Sequence, residues 1–111
     1  MARGSDGLMT ELASRRRIEV LVDSPLVRRV VAAATGAGVT GYTLLPTLGG
    51  SGEGGAWSDD QISGADAKVM FLTVTSAAKA DALVEALAPL LQSHGLILMI
   101  SDVQVLRGGK F

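Results

Sequence analysis

Gly49, Gly50, Gly52, Gly54 and Gly55 are interleaved with Ser51 and Glu53, and they give this chain its best means of recognition without a reactive side chain. Glycine leaves the backbone N–H open to close approach, and successive N–H groups can cradle an anion or a nucleotide phosphate. A bare hairpin tip is equally glycine-rich, so composition alone leaves both readings open. Length separates them. An apolar β-segment runs straight into residues 40–66, TGYTLLPTLGGSGEGGAWSDDQISGAD. Connections in compact domains take about four to six residues, and much longer ones are functional or disordered. Arg107 and Lys110 stand beside glycines at the far end of the chain, as ordinary surface cations or as partners for phosphate.

More familiar chemistry is absent. A P-loop, GxxxxGK[ST], places a lysine and a hydroxyl at the head of a helix, and LGGSGEGGAW has neither. Gly50, Gly52 and Gly55 match the spacing of a dinucleotide fingerprint, but β-segments flank them on both sides where the fingerprint requires a helix to follow. His94, the single histidine, falls at a helix C-terminus, where interaction with terminal carbonyls is the expected role. Asp59, Asp60 and Asp66 lack EF-hand spacing, so a protein-only metal site is not expected. Trp57 among small and charged residues is costly to expose, and either docks when the loop orders or packs permanently on its own subunit. No Ser/His/Asp set or carboxylate pair emerges, and the chain reads as a binding protein and not an enzyme.

A length of 111 residues fits one domain. The net charge of −1 gives no basic footprint for nucleic acid. Arg15, Arg16 and Arg17 read as the solvated opening of the first strand. The lack of cysteine excludes disulfides and thiolate sites and is compatible with a cytoplasmic location. No segment has the apolar run of a signal peptide or a membrane span. Residues 1–15 read as a disordered leader and 16–111 as the folded domain.

Within that domain RIEVLV (17–22) predicts a strand, and Asp23, Ser24 and Pro25 predict a cap and first turn. A helix follows with Leu26, Val27, Val30, Val31 and Ala34 inward, stopped by Gly36 or Gly38. A second strand runs from about Gly41 to Leu45, and KVMFLTVT (68–75) is a central strand. Ser76 caps a second helix with an Ala77, Ala80, Leu83, Val84, Leu87 and Leu91 stripe, ended by Gly95. Leu96–Ile100 and Val103–Leu106 form a last strand, or two interrupted at Ser101 and Asp102. This βαββαβ order predicts an α+β, ferredoxin-like domain: an antiparallel sheet with two helices on one face. The strands are apolar on both faces, so the uncovered face calls for burial against copies of the chain.

The quoted segments carry a family resemblance over residues 16–110. RRIEVLVDSP resembles the first strand of PII signal-transduction proteins, and GVTGYTLLPTLGGSGEGG their second strand and long T-loop. KVMFLTVT and SDVQVLRGGK fall in register with their third and closing strands. GYTLLPTLGGSGEGGAW resembles in particular the carboxysome-associated PII-like group, which is linked to bicarbonate handling. The resemblance implies a homotrimer with adenine nucleotide in clefts between subunits, and bicarbonate beside it under the ordered loop. By position it implies Thr43 near adenine or ribose, Gly49, Gly50, Ser51 and Gly52 on the phosphates, Met70 and Leu72 against the base, and Arg107, with Lys110 as a substitute cation, on phosphate. Glu53, Gly54, Gly55 and Trp57 would form the loop surface offered to anion or partner, a bicarbonate transporter or carboxysome-related protein.

Two departures shape the expectation. SHGLILMIS lacks the family's lysine-bearing GDGK-like loop, which favours ADP or AMP over ATP. The only tyrosine, Tyr42, lies in a strand, which gives no support to uridylylation. A trimeric cation-tolerance-type metal binder, or a small enzyme with a glycine lid, is the alternative of another class.

Overall fold

The computed structural model describes residues 11–58 and 67–111. It contains β1 (Leu12–Asp23), α1 (Val27–Gly36), β2 (Thr43–Pro46), β3 (Gly49–Gly52), β4 (Gly55–Ser58), β5 (Lys68–Thr75), α2 (Ala77–His94) and β6 (Ile97–Leu106). Strands β2, β5, β1 and β6 lie side by side in that order, every pair antiparallel, while β3 and β4 form a separate hairpin. This is the ferredoxin-like α+β arrangement, with a hairpin inserted between β2 and β5.

Strand alternation decides which side chains meet the helices. Ile18, Val20 and Val22 of β1 are fully buried, and the register sets Val20 between Phe71 and Leu98. Val30 and Ala34 of α1 and Ala80, Leu83, Leu87 and Leu90 of α2 join the same cluster, so both helices cover one face. Ser76 caps α2, its Oγ accepting from the Lys79 N–H at 3.3 Å, and Gly95 closes the helix at φ 62°.

The opposite face has no helix. Leu21, Met70, Leu72 and Val74 alternate away from the core, and Leu45, Ile97 and Met99 beside them are 44%, 51% and 46% exposed. Arg17 and Glu19 stand among them as an ion pair at 3.2 Å.

Several sequence expectations need correction. Strand β1 begins at Leu12 rather than Arg17, so residues 12–15 belong to the sheet and not to the expected leader; residues 1–10 lie outside the described residues. The cause is β6, which runs unbroken from Ile97 to Leu106 and pairs with β1 back to Leu12. Asp102 does not interrupt it, because it sits opposite Arg16 and meets the Arg16 Nε at 2.8 Å. Asp23 makes no cap: a short turn of 3-10 helix at Ser24–Leu26 precedes α1, and the Asp23 carboxylate pairs with Lys68 instead. In α2 Leu90 is buried, while Leu91 is half-buried and Ala77 exposed, shifting the stripe by one residue at its C-terminal end.

Candidate functional site: two half-sites at opposite ends of the sheet

Through residue 58 the long connection forms a regular hairpin that its composition does not predict. Its glycines pair across the hairpin, Gly50 opposite Trp57 and Gly52 opposite Gly55, with Glu53 and Gly54 at the tip. The six-membered ring of the Trp57 indole lies against Gly50, where a Cβ would come within 2.4 Å of it. Here glycine answers a side chain of the same hairpin. At Gly52 and Gly54 nothing lies within 4 Å of such a Cβ, so approach from outside stays open there. Asp59, Asp60 and Asp66 lie outside the described residues.

Trp57 is anchored at its polar edge as well. Its Nε1–H donates to Thr47 Oγ1 at 3.0 Å, and that hydroxyl donates to the Lys68 carbonyl at 2.7 Å. The Lys68 ammonium sits 5.2 Å from the indole centroid and 2.5 Å from Asp23 Oδ1, joining cation–π attraction to an ion pair. The hairpin is thereby tied to the start of β5 and the end of β1. A cavity of about 450 Å³ opens below it, lined by Asp23, Glu53, Gly54, Trp57, Lys68 and His94 among others. His94 Nδ1 lies 2.6 Å from Ser93 Oγ on the exposed end of α2.

Of the remaining candidates, Met70 and Leu72 lie along β5 with Thr43 beside them, while Arg107 and Lys110 reach toward its far end. Thr43 opens β2 directly opposite Leu72, and Met70 lies opposite Leu45 on the same helix-free face. Thr43 also lines a cavity of about 320 Å³ with Tyr42, Val74, Thr75, Lys110 and Phe111 among its walls. Tyr42 is held by stacking on Phe71 at 5.4 Å, and the Thr73 hydroxyl donates to the Gly41 carbonyl at 2.6 Å. Arg107 and Lys110 line an adjoining groove of about 550 Å³ with Glu11, Leu12, Ala13, Gly108 and Gly109. Thr43 therefore shares a cavity with Lys110 and Lys110 a groove with Arg107, and Gly49, Gly50, Ser51 and Gly52 line neither. Strand β5 separates the groups: Lys68 touches the hairpin end and Thr75 the other. Seven residue steps of strand set Lys110, beside Thr75, about 23 Å from the level of Lys68, while Thr43, opposite Leu72, is four steps or about 13 Å away.

Sequence reasoning missed Tyr42, Thr75 and Phe111 as cavity walls, since no local pattern shows that the C-terminus returns beside the start of β2. Among the described residues no group of three metal-ligating side chains occurs.

The chain belongs to the P-II family: residues 15–110 match the family model described as Nitrogen regulatory protein P-II. The family is regulatory. Solved structures agree in fold. CPII, a nitrogen regulatory PII-like protein from Thiomonas intermedia K12 bound to ADP, AMP and bicarbonate, is similar at a TM-score of 0.84 and 24% identity, over 91% of this chain and 96% of that one. CPII bound to ADP and bicarbonate gives a TM-score of 0.81 at 25% identity, over 91% and 97%. A PII-like signaling protein from Thermus thermophilus gives 0.79 at 20% identity, over 92% and 99%. No match was found among the curated proteins.

Proposed function

We propose that this chain is a PII-like sensor that binds ADP or AMP, together with bicarbonate, in clefts between the subunits of a homotrimer. One observation carries the reading: the hairpin amides lie at the Lys68 end of β5 while Lys110, with Arg107 beside it, lies at the Thr75 end, about 23 Å apart along the strand and farther than a single nucleoside diphosphate reaches. Two copies side by side bring the hairpin amides of one against Thr43, Arg107 and Lys110 of the other. The helix-free apolar face supplies the surface on which the copies associate. CPII, similar over nine-tenths of this chain, holds ADP and bicarbonate.

Each half contributes different chemistry. Thr43 and the walls around it suit a purine and its ribose, while Arg107 and Lys110 supply charge for phosphate. Gly95 joins α2 to β6 without a lysine-bearing loop, which favours ADP or AMP over ATP. The hairpin acts as the T-loop. Fixing its flexible tip costs conformational entropy that ligand contacts offset, so nucleotide and bicarbonate strengthen one another's binding. The closed loop, with Glu53, Gly54, Gly55 and Trp57 on it, signals inorganic-carbon or energy status to a bicarbonate transporter or carboxysome-related partner in the cytoplasm.

Calorimetric titration tests the coupling. ADP affinity rises at saturating bicarbonate if the reading holds, and an unchanged affinity overturns the linkage. Mixed oligomers test the shared cleft. Arg107→Ala and Gly50→Asp chains each lack one half, and co-assembled they recover about one intact cleft in four by random pairing. No recovery of ADP binding would count against a site built from two chains.

A further inference from the structure

Arg15 reads from the sequence as part of a solvated strand opening, and the structure puts it to a different use. Its Nη2–H donates to the Gly108 carbonyl at 2.7 Å, across 93 residues of chain, and its Nη1–H donates to the Ser14 carbonyl at 2.8 Å. The contact is tight. A Cβ on Gly108 would lie 2.7 Å from Ala13 Cβ and 3.0 Å from the Arg15 guanidinium, so only glycine lets the C-terminal turn approach this closely. Gly108 O also accepts from the Phe111 N–H at 3.1 Å, and the Lys110 N–H donates to Arg107 O at 3.0 Å.

That turn contains Arg107, the one non-glycine residue with positive φ among the described residues, at 58°. A residue other than glycine or asparagine persists in this region only when its surroundings over-determine it. Arg15 is the side chain that grips this turn, beside the two backbone hydrogen bonds that close it. With φ held positive, the Arg107 stem and the Lys110 backbone leave β6 in fixed directions along the groove shared with Glu11, Leu12 and Ala13.

We infer that Arg15 is a positioning residue for phosphate recognition: it clamps the Gly108 carbonyl and so aims Arg107 and Lys110, without touching the nucleotide itself. This rests on the nucleotide-binding reading above. It predicts a loss that grows with the number of phosphates. A charge-assisted hydrogen bond lost from phosphate weakens binding by about tenfold or more.

The full chain carrying Arg15→Leu is titrated with ADP, AMP and adenosine beside wild type, with melting temperature recorded for both. The expected result is a loss of about tenfold for ADP, less for AMP and none for adenosine, with Arg15→Lys recovering part of it. Adding Arg15→Leu to an Arg107→Ala/Lys110→Ala chain should then cost nothing more, since no cation remains to aim. Equal losses for all three ligands, a full effect in the Arg107→Ala/Lys110→Ala background, or wild-type ADP affinity in Arg15→Leu each overturn the clamp while leaving the nucleotide site standing. Should Arg15→Leu not fold, the same titrations on Arg15→Lys decide the matter through the order of its ADP, AMP and adenosine losses. A wild-type chain that binds no adenine nucleotide overturns both readings at once.

Discussion

At the scale of single residues, Trp57 on Gly50 links the loop's composition to its shape. A methyl group at position 50 would overlap the indole, so Gly50→Ala forces Trp57 off the hairpin or the strands apart. Trp57 is the chain's single tryptophan, and its emission should shift to longer wavelength in this variant as the ring enters water. An unchanged spectrum would show that the indole does not lie there. Thr47→Val removes the acceptor for Trp57 Nε1 and the donor to Lys68 O, and is expected to destabilise the hairpin by about 1 kcal/mol, read as faster amide exchange in residues 49–58. The tryptophan's need for cover was evident from its polar neighbours. Its partner was not, since the glycine facing it is named only by the hairpin register.

At the scale of elements, the helices followed local rules closely and the strands did not. Ser76 and Gly95 bound α2 as helix-capping chemistry requires, because caps act within a few residues of chain. Ser76→Ala should cost about 1 kcal/mol in denaturant unfolding, with the m-value unchanged. Phe71, fully buried between helices and sheet, should cost about 3–5 kcal/mol when truncated to alanine in the same measurement. Strand limits depend on what lies alongside. Ser101 and Asp102 are poor strand formers, yet β6 continues through them because Arg17 and Arg16 stand opposite on β1. The same pairing draws residues 12–15 into the sheet.

At the scale of the whole molecule, the proposed association of copies rests on the helix-free face and the divided site. Leu72 lies on that face beside Glu19 and Thr43. Leu72→Glu puts a carboxylate next to the Glu19 carboxylate in what would be an interface. Sedimentation equilibrium should then report dissociated chains, and ADP binding should disappear with the oligomer. An exposed face would tolerate the change within about 0.5 kcal/mol and leave both measurements alone. Among the described residues no helix is long and apolar enough to cross a membrane.

Residue order by itself determined the βαββαβ arrangement, the caps of the second helix, and a resemblance strong enough to name Thr43, the hairpin glycines and Arg107 as a set. Such features depend on periodicity and on contacts a few residues apart, which a linear string displays. Only the tertiary structure decided that this set splits between two ends of the sheet, that Trp57 occupies the space above Gly50, and that Arg15 grips a turn 93 residues away. Those outcomes follow from strand register and chain return, where residues remote in sequence are set side by side by packing no local pattern encodes.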